Sequence, residues 1–262
     1  MRRDPVILMY HGVADVAPEL DPDNLFVTPD SFEQQMAHLA DHGHRVLGED
    51  ALLAWERGAS LPGRSVILTF DDGYRSVAET AAPILQRFGF PAVCYVSAGL
   101  LGTRSSEGDH LAFELMDADE VAALPAAGVA VASHGWDHSS MRGAAPQVLR
   151  RATEDAMESL SDLTGRCPAS FAYPYGHHDE IARSAVRRAG YQAALATYDG
   201  AGRWARERVD VNATDTLRTF RWKLTAPYPH LRALLGRAPR LRRAAHRMVG
   251  FADRPAAVET HS

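Results

Sequence analysis

Short apolar runs alternate along the chain with stretches whose apolar positions return every three or four residues. The runs at 6–10, 45–47, 65–69, 91–97, 129–133, 169–172 and 193–198 are rich in apolar and β-branched residues, which predicts strands, several of them buried. Between them, 31–39 carries Phe32, Met36 and Leu39 at the helical period. Further helices are expected at 50–57, from about Arg75 to Phe88, and at 117–124, 146–163 and 179–189. Gly43, Gly58, Gly89, Gly165 and Gly190 stand where five of these helices should stop. Residues 99–116 read as a loop, and the run ending at Tyr198 reads as the last strand. Alternation of this kind argues a parallel sheet with crossover helices. Lys223 to Met248 breaks the pattern, with six Arg, one Lys, no Asp or Glu, and an apolar stripe interrupted at Pro239. Two segments are therefore expected: a main domain over 1–222 and a basic amphipathic segment over 223–262, packed on the domain or facing a membrane.

Length and composition add bounds. At 262 residues, 46% apolar and 23% charged, the chain suits one large α/β domain or two small ones. A net charge of -5 excludes a generally basic nucleic-acid binder. The five apolar residues after the first arginines are too few for a signal-peptide core, and no run reaches the ~18 of a membrane span. The expectation is a cytoplasmic protein, with contact to anionic lipid through 223–248 as the alternative to docking of that segment on the domain. Cys94 lies in an apolar run and reads as a buried thiol, and with only Cys167 beside it there is no disulfide framework.

Chemistry concentrates where apolar runs end. After 65–69 come Phe70-Asp71-Asp72-Gly73. Adjacent side chains at a strand end point in different directions, so the two carboxylates can hold different roles. Alone, Asp-Asp-Gly is equally well a turn capping the next helix. Two later stretches favour chemistry: Ser133-His134-Gly135-Trp136-Asp137-His138, and Phe171-Ala172-Tyr173-Pro174-Tyr175-Gly176. The four-residue His spacing suits one face of a helical turn, as in other zinc sites. One of the two aspartates with His134 and His138 would supply the three ligands of a hydrolytic centre with an open position.

These three motifs in this order resemble the polysaccharide deacetylase family, over roughly residues 5 to 200. The resemblance implies a distorted (β/α) barrel and a metal-dependent enzyme that removes acetyl groups from sugars. It implies Zn, or Co, Ni or Mn in its place, held by Asp72, His134 and His138. Such an ion lowers the pKa of a bound water to ~7 and polarises a carbonyl. Asp71 is then the base that takes the proton of the attacking water, because the ligand Asp72 has its charge neutralised. Tyr175 matches the residue that lends a backbone N–H to the oxyanion, while Tyr173, Pro174 and Gly176 line the groove, with Trp136 as a wall for a sugar ring or as core. The chain departs from the common pattern in two places. Ala172 stands where many members carry an arginine that steadies the base, as it does in a subgroup with the same Phe-Ala-Tyr-Pro-Tyr-Gly. No late Leu-x-His acid is evident either, since His230 and His246 sit in the basic tail; Leu8-Met9-Tyr10-His11 resembles the opening strand of circularly permuted members and makes His11 the expected acid. Asp199 and Trp204 are weak matches to an Asp–Trp motif. The expected partner is an acetylated oligo- or polysaccharide, or a lipid- or nucleotide-linked precursor. The alternatives are an inert carbohydrate-binding relative, or a hydrolase of a non-sugar amide such as a cyclic imide or an acetylpolyamine.

Overall fold

The computed structural model describes residues 4–105, 113–197, 199–225 and 228. Strand β1 (Val6–Tyr10) is followed by a small two-strand pair, β2 (Gly12–Val13) and β3 (Phe26–Val27). Helix α1 (Pro29–Asp41) opens with Pro29 at its first turn and the Thr28 hydroxyl accepting from Ser31 N, and it buries Phe32, Met36 and Leu39. Then come β4 (Arg45–Leu47), α2 (Glu49–Glu56) and β5 (Ser65–Phe70). A π-turn at Val77–Ala81 leads into α3 (Ala82–Phe88), which stops at Gly89 in the left-handed conformation. Next are β6 (Ala92–Val96), α4 (Ala118–Ala123, capped reciprocally by Asp117 and Glu120) and β7 (Val129–Ser133). The expected long helix forms as α5 (Pro146–Arg150), a π-turn at Arg151–Asp155 and α6 (Ala156–Thr164). The chain continues through β8 (Ser170–Ala172), α7 (Glu180–Ala189), β9 (Ala193–Ala196), β10 (Arg206–Glu207), β11 (Val209–Asp210) and α8 (Leu217–Lys223).

Nine strands form one parallel sheet in the order β10-β9-β8-β7-β6-β5-β1-β11, with β4 also paired to β5. The two edges of this path, β10 and β11, are separated in sequence by Arg208 alone. The sheet therefore curls round on itself into a nearly closed (β/α) barrel, as expected. Residues 206–210 act as its seam, pairing first with β9 and then with β1.

The closure corrects one expectation: the run at 193–198 is not the last strand. Four of the five residues from Arg206 to Asp210 are charged, which hides a strand from any hydrophobic pattern. The motif-bearing histidines are also not on a helical turn. Residues 134–138 form a bend, with Gly135 and His138 at positive φ.

Ile7, Ile67, Val93, Tyr95, Ala132, Ala172 and Leu195 from six staves meet inside the barrel, where Leu52 and Trp55 of α2 join them. Arg206 lies over the Trp55 ring and makes two hydrogen bonds to Glu56, so α2 covers the amino end of the barrel. Alternate strand residues such as Leu8, Leu68 and Cys94 face the helices in a second core. Cys94 and Cys167 are both free.

The boundary expected after residue 222 falls inside α8, whose last residue Lys223 is buried. Its ammonium donates to Asp215 Oδ2 at 2.5 Å and to the carbonyl of Asp210 in β11 at 2.8 Å. The basic segment beyond residue 228, His230 and His246 lie outside the described residues, as does Tyr198. Lys223→Ala strands the buried Asp215 carboxylate, so denaturant unfolding should show a loss of about 3–5 kcal/mol. A loss below about 1 kcal/mol would mark this pair as an ordinary surface bridge.

Candidate active site and metal centre

Strand parity aims the site. Ile67 and Thr69 of β5 and Asp71 just past its end alternate toward the barrel interior, as do Ile7 and Met9 of β1 and His11 just past its end. Asp71 and Asp72 are both buried, at the carboxyl end of the sheet where α/β sites form. The backbone then turns sharply, with Asp72 at φ 71° and Gly73 at φ 81°. The turn sends the two carboxylates apart. Asp71 points across the interior to the seam, and Asp72 points to the histidines.

Asp72 Oδ1 stands 3.2 Å from His134 Nε2 and 3.1 Å from His138 Nε2. One ligand atom from each of the three residues lies within 4.8 Å of the others. His134 Nδ1 is 2.8 Å from the carbonyl of Ala172, which can only accept, so Nδ1 donates there and Nε2 is the ring atom turned toward Asp72. Asp72 Oδ1 is buried and makes no hydrogen bond. A carboxylate oxygen aimed between imidazole nitrogens is an acceptor set that a cation satisfies, and the donor set suits zinc or a similar divalent ion. Burial acts to raise the Asp72 carboxyl, but the facing His134 and His138 imidazoles, with a contribution from His11, hold it well below the usual carboxylate range.

The histidine bend is held by β6 and the turn beyond that strand. His134 N donates to Val96 O, Ala98 N to Gly135 O, and Gly99 N to Trp136 O at 2.7 Å. Trp136 lies so close over Gly99 that a Cβ there would sit 2.2 Å from its indole nitrogen. Arg151 covers it at 5.0 Å, so Trp136 is largely packed rather than offered as a free wall.

Asp71 has a counter-charge that no sequence motif announces. Arg208, fully buried on the seam, donates from Nη1 to Oδ1 and from Nη2 to Oδ2 of Asp71, both at 2.6 Å. Nη1 also reaches Thr69 Oγ1 at 3.2 Å. Burial pushes the Asp71 carboxyl up, and Arg208, His134 and His11 outweigh it, leaving the group below its ordinary value. Arg208 supplies Asp71 with an arginine partner where Ala172, itself buried inside the barrel, offers none. The signal was the alternation Arg208-Val209-Asp210-Val211, too charged to read as a strand.

His11 follows β1 at the same rim; its Nδ1 is buried without a hydrogen-bond partner, and it is near enough to both carboxylates to help lower them. Tyr175 is half exposed, at φ 58°, with its ring 4.5 Å from that of His138. Pro174 and Gly176 are buried; a Cβ on Gly176 would press to 2.8 Å from Thr197 N, which explains the glycine in this tight turn. Tyr173 does not face the groove: it is fully buried among Phe171, Ala194 and Ala205, and its hydroxyl donates to Trp204 O at 3.0 Å. Asp199 pairs with Arg142, and Trp204 lies between Arg187 and Arg203, so neither joins the site. Of the six described non-glycine residues at positive φ, three are Asp72, His138 and Tyr175. Such conformations cost about 1–3 kcal/mol each and gather where function fixes geometry.

The family model described as polysaccharide deacetylase matches residues 58–194. YxkH of Bacillus subtilis (strain 168), a protein that carries the polysaccharide deacetylase name, is 27% identical over 79% of this chain and 71% of its own length. The poly-beta-1,6-N-acetyl-D-glucosamine N-deacetylase of Escherichia coli (strain K12) is 27% identical over 71% of this chain, which spans only 33% of that protein. Among solved structures, the deacetylase PplD of Streptococcus pyogenes superposes with a TM-score of 0.76 at 22% identity, covering 86% of this chain and 100% of that one, a likeness of fold. His11 and Arg208 both lie outside the matched 58–194.

Arg208→Met leaves the Asp71 charge buried and unpaired, so unfolding free energy should fall by about 3–5 kcal/mol. Adding Asp71→Asn should restore more than half of that loss, since no charge is then stranded. A double variant no more stable than the single one would contradict this pairing.

Proposed function

The chain belongs to the polysaccharide deacetylase family, and from that premise we propose that it hydrolyses the acetamide of an N-acetylated sugar at a divalent metal centre. The observation that carries the reading is the division of labour between neighbouring carboxylates: Asp72 faces two imidazoles while Asp71 faces a guanidinium. Asp72, His134 and His138 would hold the ion, which when bound supplies a Lewis acid for the carbonyl and acidifies a water.

The remaining work falls to the chain's own groups. Each oxygen of Asp71 gives one lone pair to Arg208 and keeps another, so the carboxylate can still accept the proton of the attacking water. Arg208 fixes its direction. The Tyr175 backbone N–H is assigned to the developing oxyanion, and Tyr175 itself, half exposed over His138, to one wall of the substrate groove. His11, beside Asp71 at the end of the neighbouring strand, is assigned the proton that the departing amine needs; its unpartnered Nδ1 supports that role. The sugar class is supported by the family and by relatives named for poly-N-acetylglucosamine.

We further assign a peripheral membrane contact to the C-terminal side. Helix α8 exposes Leu217 and Trp222 beside exposed Arg218 and Arg221, and the chain continues into the arginine-rich segment. This also supports a cytoplasmic-face location. Sedimentation with phosphatidylglycerol vesicles but not phosphatidylcholine ones, lost on Trp222→Ser with Arg221→Glu, is the expected result.

Acetate release from chitooligosaccharides, and from a panel of acetylated amides that includes an acetylpolyamine, should fall to background after chelation and return with added zinc, cobalt, nickel or manganese. His134→Ala should lose bound metal. Asp71→Asn should keep the metal while acetate release drops by about 10²–10⁴-fold, the size of a general-base contribution. Full activity in metal-free protein would refute the mechanism. Sugar binding without turnover would favour the inert relative.

A further inference from the structure

Arg208 decides where Asp71 points, and the side chain beside it inside the barrel is Tyr95. Tyr95 is fully buried on β6, and the guanidinium carbon of Arg208 lies over its ring at 5.5 Å from the centroid. That is within the reach of a cation–π attraction, which strengthens when both groups are out of water. The Tyr95 hydroxyl is engaged elsewhere. It lies 2.8 Å from Ser170 Oγ, and Ser170 donates its own hydrogen to Glu49 Oε1 at 2.5 Å. Since Ser170 has one hydrogen to give, the phenol must be the donor in the first bond. A relay Tyr95 → Ser170 → Glu49 therefore runs through the barrel from β6 to β8 to the first turn of α2. Donation toward a carboxylate polarises the phenol and enriches its ring in electron density, which favours a cation above it.

We propose that Tyr95 is a positioning residue for the reaction, its ring face setting the plane of the Arg208 guanidinium so that both nitrogens meet Asp71. The proposal rests on the reading of Asp71 as the base. Arginine reaches its carboxylate at the end of a side chain with several rotatable bonds, and two parallel bonds form only in one orientation of the fork. Thr69 fixes one edge of that fork at Nη1. The ring of Tyr95 fixes its tilt, and close packing inside the barrel holds the ring, with the hydroxyl bond to Ser170 as an added tether. The base is thereby oriented from within the barrel core.

The test compares the full-length, metal-loaded chain with Tyr95→Phe, which keeps the ring, and Tyr95→Leu, which removes it. Tyr95→Met, of similar bulk without a π face, replaces the leucine variant should that one fail to fold. The measurements are kcat and KM for acetate release from a chitooligosaccharide, bound metal per chain, and crystal structures of the variants. Tyr95→Phe should stay within about 3-fold of the parent in kcat. Tyr95→Leu should lose about 10-fold or more in kcat, as misplaced catalytic groups do, with KM and metal content unchanged and with at least one Arg208–Asp71 bond broken. Equal kcat in the phenylalanine and leucine variants, or a leucine variant that keeps both bonds, would overturn the proposal. A parent protein that releases no acetate from any substrate would sink the deacetylase reading instead, and the crystal structures alone would then decide whether the ring holds Arg208.

Discussion

Two buried carboxylates on adjacent residues cannot both stay ionised without counter-charge, and the upper rim of this barrel is built to meet that requirement. Asp71 is answered by a guanidinium that makes two hydrogen bonds to it. Asp72 is answered by two imidazoles whose arrangement suits a cation between them. The tight turn at Asp72 and Gly73 is what lets neighbours serve separate partners, and the left-handed backbone at Asp72 is its local cost. Separation of the roles proposed for them follows from electrostatics: a carboxylate whose charge a metal neutralises would make a poor base, while one that a guanidinium orients keeps lone pairs for a proton.

Much of this was legible in the sequence because it is periodic or local. The strands at Val6–Tyr10, Ser65–Phe70, Ala92–Val96 and Val129–Ser133 are apolar because each is covered on both sides, inside the barrel and by helices. The motif residues Asp71, Asp72, His134 and His138 fall at strand ends in the order read from the chain, and three of them come together in space. The His-x-x-x-His spacing suggested a helical turn, yet a bend with Gly135 and His138 at positive φ performs the same convergence. Spacing alone does not tell these two backbones apart.

What the sequence hid is non-local. Arg208 and Asp71 are 137 positions apart, and no periodicity links them. The seam strand that carries Arg208 is mostly charged because its side chains serve ion pairs, Arg206 with Glu56 and Arg208 with Asp71, rather than an apolar core. Tyr173 was expected in the groove because it flanks Pro174 and Tyr175, but strand alternation turns it into the cluster beneath α7 while Tyr175 emerges. Its hydroxyl finds a carbonyl there, as a buried phenol requires.

The seam has a consequence for how the enzyme comes into being on the ribosome. The first strand to emerge lies against almost the last, since β1 borders β11. Until residue 208 has been synthesised and lies between the two edges of the sheet, Asp71 lacks its counter-ion and the barrel stays open. A rim folded around the two buried carboxylates without residues 206–210 would leave Asp71 without its guanidinium, so burial of the site and closure of the barrel are coupled through one short segment.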